Sequence, residues 1–259
     1  IKYGQTVPLK YAIDGDNCIF LKNGRCGLCV KACPTDAINH EMKPETLELN
    51  VGSVILAPGF KPYDPSGIDY YGYDKIPDVV TSFEYERMLS ASGPTMGHLQ
   101  MSNGEEPKKI AWIQCVGSRN ANGTKNGYCS GVCCMYAIKQ ATMTQSHVAD
   151  GGEQTIFYMD IRTPGKEYER YYESSKQKGV EYIKARPHTL VKGPDGAGVM
   201  MDWADDTGST HTGHFDMVVL SIGLEAPEDA VKLADKCGFS LTPHNFAEIN
   251  SFDPVSTDR

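Results

Sequence analysis

Strand and helix signals alternate through most of this chain, with crossovers of helix length between strands. That alternation predicts an α/β fold on a parallel sheet. Two further observations narrow the class. Eight of the nine cysteines fall into two tight groups, at 18, 26, 29, 33 and at 115, 129, 133, 134. The second group occupies a strand-to-helix junction, where a nucleotide-binding domain carries its glycine-rich phosphate loop.

Taken in order, residues 14–43 form a cysteine-rich unit with little hydrophobic periodicity, so what the cysteines bind must hold its fold. The run LELNVGSVILAPG, residues 47–59, thickens into an apolar VILA and predicts a buried strand ended by Pro58 and Gly59. A connector rich in Gly, Tyr, Asp and Pro covers 61–80. Thr81 then starts a helix, with Glu84 three residues on as a capping box.

From residue 107 the alternation is regular. KKIAWIQ is a strand, 130–147 a helix and TIFYMDI a strand. EYERYYESSKQKG is a helix stopped by Gly179, with Tyr168, Tyr171 and Tyr172 suited to packing on a sheet, and VEYIKAR is a strand. Residues 187–215 read as short antiparallel strands around GPDGAG and ADDTGST. FDMVVLSIG is a buried strand, and APEDAVKLADKCG is an amphipathic helix closed by Gly238, with Cys237 on its apolar face.

The composition excludes several classes. With 259 residues the chain holds one large or two small domains, and 40% hydrophobic and 22% charged residues are ordinary for a globular protein. A net charge of −8 and the lack of any basic run of five argue against a nucleic-acid surface. No apolar run approaches the ~20 residues that cross a bilayer, and IKYGQTVPLK lacks the features of a signal peptide. Clustered thiols without an export signal point to metal or redox chemistry in a reducing, cytoplasmic compartment. A start on Ile and a stop at DPVSTDR read as the middle of a longer protein.

The first group, CIFLKNGRCGLCVKACPTDAI, keeps the C-x2-C-x3-C-P part of the bacterial ferredoxin run and lengthens its first gap to seven residues. Thiolates two residues apart reach adjacent irons of one cubane, and Pro34 turns the chain away. Zinc favours two C-x2-C pairs well separated in sequence, so the pattern predicts a 4Fe–4S cluster on Cys18, Cys26, Cys29 and Cys33. In two-cluster ferredoxins the last cysteine ligates the other cluster, so Cys33 has a second destination open to it.

The second group admits three readings on spacing alone. They are a vicinal disulfide at Cys133 and Cys134, a zinc site, or a 4Fe–4S cluster held by Cys115, Cys129, Cys133 and Cys134. A disulfide leaves Cys115 and Cys129 unexplained, and zinc suits the count but not the adjacent pair. A helix N-terminus stabilises thiolates whichever holds.

The run PKKIAWIQCVGSRN, continued by YCSGVCCMYAIKQA and IFYMDIRTPGKEYERYY, resembles the A subunit of heterodisulfide reductase and related quinone-interacting and benzoyl-coenzyme A reductase subunits. The likeness extends through VGSVILAPGFKPYDP, VTSFEYERMLSASGPT and VVLSIG to DPVSTDR. It implies a thioredoxin-reductase-like FAD/NAD(P)-type fold in which a cluster site has replaced the pyridine-nucleotide loop. The implied ligands are Cys115, Cys129, Cys133 and Cys134 for a cluster beside a flavin, and the first group for a second 4Fe–4S cluster. The implied domains are 1–44 (ferredoxin-like), 45–106 (FAD-binding and connector), 107–223 (remodelled NAD(P)-type domain) and 224–259 (return into the FAD-binding domain). FAD would be approached by Ala57, Pro58 and Gly59, with most of its binding loop outside this sequence.

One feature of the residues agrees independently. The only phosphate-loop-like stretch, GPDGAG, lies between short strands, which argues against NAD(P). Arg119 is a candidate for tuning the cluster or flavin, or a solvated loop residue. Asp160 reads as structural, paired with Arg162, and the seven histidines show no ligand spacing. The functional expectation is an electron-transfer component of a heterodisulfide-reductase-like complex, exchanging electrons with a hydrogenase, formate dehydrogenase or ferredoxin, with flavin-based bifurcation as the family's special case and a homodimer as one arrangement. The competing classes are a thiol-disulfide oxidoreductase using Cys133 and Cys134 and a zinc-stabilised assembly module.

Overall fold

The computed structural model describes residues 11–43, 45–120 and 126–258. It divides into two compact units, one ending at Leu56 and one beginning at Ala57.

The first unit has two helices of about one turn, α1 (Ile19–Asn23) and α2 (Leu28–Ala32). Gly24 closes α1 in the left-handed region at φ 73°, and its N–H reaches Phe20 O at 2.8 Å. Neither helix buries a single residue, and among the described residues of this unit no side chain is buried. The strand predicted over 47–57 does not form. Leu47, Val54 and Ile55 are 71%, 68% and 93% exposed, and no regular element covers them. A strand apolar on both faces needs neighbours for its backbone groups and its faces, and among the described residues no sheet takes this segment as a member.

The second unit is built on a five-stranded parallel sheet. Its strands are β2 (Val79–Thr81), β3 (Lys109–Val116), β4 (Glu153–Tyr158), β5 (Glu181–Lys184) and β9 (Met217–Ile222), in the order β2-β9-β3-β4-β5. KIAWIQCV and MVVLSI are buried nearly throughout, as central parallel strands covered on both faces must be. Alternation divides their side chains. Ala111, Ile113, Val218 and Leu220 face one core, and Ile110, Trp112, Met217 and Val219 face the other.

The first core is covered by an antiparallel sheet of β6 (Thr189–Lys192), β7 (Val199–Ala204) and β8 (Thr210–Phe215). GPDGAG is the β6–β7 turn. Gly198, at φ 68°, presses against His214 and Phe215 so closely that a Cβ would lie 2.8 Å from each. Its N–H donates to the buried carboxylate of Asp78 at 2.9 Å, which also accepts from the backbone and hydroxyl of Ser102 at 2.7 and 3.0 Å.

The second core lies under α3 (Ser82–Leu89), α4 (Cys133–His147) and α5 (Tyr168–Gln177). The capping box is present: Glu84 N–H donates to Thr81 Oγ1 at 3.3 Å, and Thr81 N–H donates back to Glu84 Oε2 at 2.7 Å. Trp112, fully buried, donates its indole N–H to Gln140 Oε1 at 3.2 Å, and Gln140 Nε2 donates to Ser82 O at 2.8 Å. Tyr171 and Tyr172 pack against this core while Tyr168 stays 48% exposed.

Two small strand pairs and a helix also belong to the unit. β1 (Lys61–Pro62) pairs with β10 (Leu224–Glu225), and β11 (Ile249–Asn250) pairs with β12 (Asp253–Thr257). In α6 (Ala230–Cys237) the buried residues are Ala230 and Ala234, one turn apart. Cys237 is exposed at the helix's last position, which corrects the expectation that it packs on the apolar face: the i, i+4 stripe of two alanines carries the burial, and the final turn runs past it. Among the described residues no helix is long and apolar enough to cross a membrane.

Candidate iron–sulfur sites

β3 ends by changing direction. Its register with β9 slips between Ile113 and Val116, and Cys115 takes the left-handed conformation at φ 60°. A non-glycine residue there is uncommon and strained. The slip and the positive φ together re-aim the Cys115 side chain at the sheet's carboxyl edge, as bulges beside functional sites do. Gly117 follows at φ 73°, so close to Tyr63 that a Cβ would sit 2.2 Å from the ring. Arg119 is again left-handed at φ 55°.

The chain returns alongside itself before the helix. Arg119 N–H donates to Tyr128 O at 2.9 Å, and the Ser118 and Ser130 hydroxyls lie 2.7 Å apart. Ser130 Oγ also accepts from Leu224 N–H at 2.9 Å. Gly223 closes this packing, since a Cβ there would meet Ser118 Oγ at 2.2 Å and Ser130 Oγ at 2.7 Å. Gly131, at φ 73°, turns the chain into α4, whose first two residues are Cys133 and Cys134. The helix therefore starts at 133, three residues later than the sequence predicts, and Cys129 lies in the preceding loop.

All four thiols of the second group line one narrow cavity at this edge, with Ser118, Arg119, Asp160 and Arg162 around them. Cys115, Cys133 and Cys134 are 5%, 5% and 8% exposed. Burial pushes the thiols of Cys115 and Cys134 up, and that of Cys133 up to about 12. Mutual repulsion adds to this, from Cys134 on Cys115, from Cys129 on Cys134, and from the other three on Cys133. Thiols in this arrangement cannot ionise together unless positive charge sits among them. That donor chemistry fits a metal cluster, and the N-terminus of the 15-residue α4 favours negative charge at the same point. Among the described residues no three Cys, His, Asp or Glu side chains converge tightly enough to hold a single ion.

Asp160 lines this cavity. It pairs with Arg119 and, at 3.2 Å, with Arg162. Partial burial opposes ionisation of its carboxyl, but hydrogen bonds from the two arginines hold it below the usual carboxylate range. The sequence anticipates the Arg162 partner and misses the Arg119 one, because 41 residues separate Arg119 from Asp160.

In the first unit Cys18 precedes α1, Cys26 lies between the helices, Cys29 is in α2 and Cys33 follows it. Cys29 Sγ is 3.6 Å from His40 Nε2, and the imidazole stacks on Phe20 at 4.2 Å between centroids. No sequence spacing announces this histidine. Cys33 Sγ accepts from Ala37 N–H at 3.4 Å and lies 3.5 Å from Thr35 Oγ1; hydrogen bonding from Thr35, then Ala37, lowers its pKa. All nine cysteines are free thiols.

The expected flavin contacts are different in kind. Ala57, Pro58 and Gly59 are exposed and lie in no regular element. Gly59, at φ 77°, has open space where a Cβ would project. They leave room for close backbone approach to a ligand but form no cradle by themselves.

Comparison with known proteins bears on the first group and on the chain as a whole. The 4Fe-4S binding domain family matches residues 24–39, which include Cys26, Cys29 and Cys33. The iron-sulfur A subunit of CoB--CoM heterodisulfide reductase from Methanocaldococcus jannaschii is 41% identical over 249 residues, 95% of this chain and 37% of that protein. The A subunit of the H(2):CoB-CoM heterodisulfide,ferredoxin reductase from Methanothermobacter marburgensis is 41% identical, with coverage of 95% and 37%. The A subunit of the ferredoxin/F(420)H(2)-dependent CoB-CoM heterodisulfide reductase from Methanosarcina acetivorans is 39% identical, with coverage of 93% and 30%. The chain thus spans about a third of the length of these relatives. Thioredoxin reductase of T. acidophilum aligns with a TM-score of 0.41 at 15% identity, over 74% of this chain and 50% of that one.

Proposed function

Because the chain belongs to the family of heterodisulfide reductase A subunits, we propose that it is the electron-transfer part of such an oxidoreductase, carrying two 4Fe–4S clusters and working with FAD. The observation that carries this reading is the cavity lined by Cys115, Cys129, Cys133 and Cys134, where a nucleotide-binding domain would hold its phosphate loop. The domain limits of 1–44, 45–106, 107–223 and 224–259 form part of the proposal. So do Ala57, Pro58 and Gly59 as the approach to FAD, and Cys18, Cys26, Cys29 and Cys33 as ligands in the first unit.

A bound four-iron cluster supplies one-electron transfer. The chain's own residues do the rest. The strained Cys115 presents its thiol from the strand end, while Cys133 and Cys134 present theirs from the positive end of α4. Ser118, Ser130 and Gly223 pack the two arms of the loop together. Arg119 brings positive charge that offsets the negative charge of a thiolate at Cys115.

The relatives' names support the partners. One joins hydrogen, the heterodisulfide and ferredoxin, and the Methanococcus maripaludis relative adds formate. We extend these partners to this chain, together with the other subunits of such a complex and a homodimeric arrangement. Bifurcation at the flavin is the finer form of the proposal, supported by names that pair the heterodisulfide with ferredoxin.

The test is Cys115→Ala in the anaerobically purified chain. The expected result is loss of about four iron per chain and of one reduced-state EPR signal, with electron flow to the flavin blocked. Unchanged iron and unchanged electron transfer would refute the assignment.

A further inference from the structure

Asp160 follows the carboxyl end of β4, where the acid that binds a ribose hydroxyl sits in a dinucleotide domain. Here its two oxygens take other partners. Oδ1 accepts from Arg119 Nη1, and Oδ2 accepts from Arg162 Nε at 3.2 Å. The backbone of the same residue meets the thiol group, with Cys134 Sγ 4.0 Å from Asp160 O. Arg119 is tied to the same scaffold, since its left-handed backbone bonds Tyr128, the residue before Cys129. All three charged side chains line the cavity that the four thiols line.

Ion pairs this exposed contribute little to folding stability. The Arg119, Arg162 and Asp160 side chains are 24%, 48% and 47% exposed, so their effect lies in where they put charge. We propose that Asp160 is a positioning residue that holds Arg119 and Arg162 against the cavity, so that two guanidiniums face the cluster and raise its reduction potential. This rests on the reading of the second cysteine group as a cluster site. Reduction adds one negative charge, which nearby positive charge favours, and the effect grows where burial lowers the local dielectric. The carboxylate taken alone has the opposite effect, so the sign of a shift separates positioning from direct charge.

The experiment is an EPR-monitored redox titration of the cluster-loaded chain, unaltered and as Arg119→Gln, Arg162→Gln, Asp160→Asn and Asp160→Glu. Cys115→Ala identifies which signal belongs to the second group. Both Arg→Gln variants should lower that midpoint potential, Arg119→Gln the more because it is less exposed. Asp160→Asn should lower it too, although it removes a negative charge, and Asp160→Glu should restore most of it. An upward shift or no shift in Asp160→Asn overturns the positioning role. If Asp160→Asn does not load iron, the other variants decide. Downward shifts in both arginine variants, with Asp160→Glu near the unaltered value, sustain the proposal, and unshifted arginine variants refute it. Absence of a second-group signal in the unaltered chain refutes the cluster reading itself, which is a separate outcome.

Discussion

The two cysteine groups share a residue type and differ in what supports them. The first sits in a unit whose helices bury nothing, with its thiols exposed or half-exposed. The second sits at the edge of a fully covered parallel sheet, with three of its thiols below 10% exposure. A small unit without an apolar core needs a staple, and a metal cluster would provide one. A site built on the end of a core strand has a scaffold that stands without metal. On the proposed reading, ligand binding and folding are therefore coupled in the first unit and separable in the second.

Iron removal breaks the comparison most directly. Anaerobic chelation should abolish hydrogen-exchange protection in residues 18–40, while amides of β3, β4 and β9 keep theirs. Equal loss in both regions would show that the second unit also depends on its metal. Next in size, Trp112→Ala should destabilise the second unit by about 3–5 kcal/mol, through a cavity in the helix-side core. Denaturant unfolding measures it, and iron content should be unchanged in the first group.

Gly117→Ala sharpens the claim that the second site is preorganised. It forces a Cβ into the Tyr63 ring at a positive φ, and should cost roughly 2 kcal/mol while weakening the second-group EPR signal alone. Full stability with an unaltered signal would show that the loop accommodates the change. The smallest effect is Thr81→Ala, which removes a capping box and should cost about 1 kcal/mol in thermal or chemical unfolding, without touching either cluster.

What was legible in the sequence follows local signals. KKIAWIQ and FDMVVLSIG declare central strands because both faces are apolar. Thr81 and Glu84 declare a cap because three residues suffice to make one. The cysteine spacings singled out both groups without any tertiary information. What stayed hidden depends on partners distant in the chain. LELNVGSVILAPG has the composition of a strand, but among the described residues no sheet takes it in. The exposure of Cys237 follows from how α6 rotates on its two alanines. Asp78 bridging Ser102 and Gly198, Asp160 holding Arg119, and His40 beside Cys29 join residues whose spacing carries no motif.

The central claim is that both thiol groups hold four-iron clusters. The most direct measurement is iron and acid-labile sulfide content of the anaerobically purified chain, read with its reduced-state EPR spectrum. The expected result is about eight iron and eight sulfide per chain, with two four-iron signals. Zinc in place of iron, or reactive thiols with no metal, would contradict it.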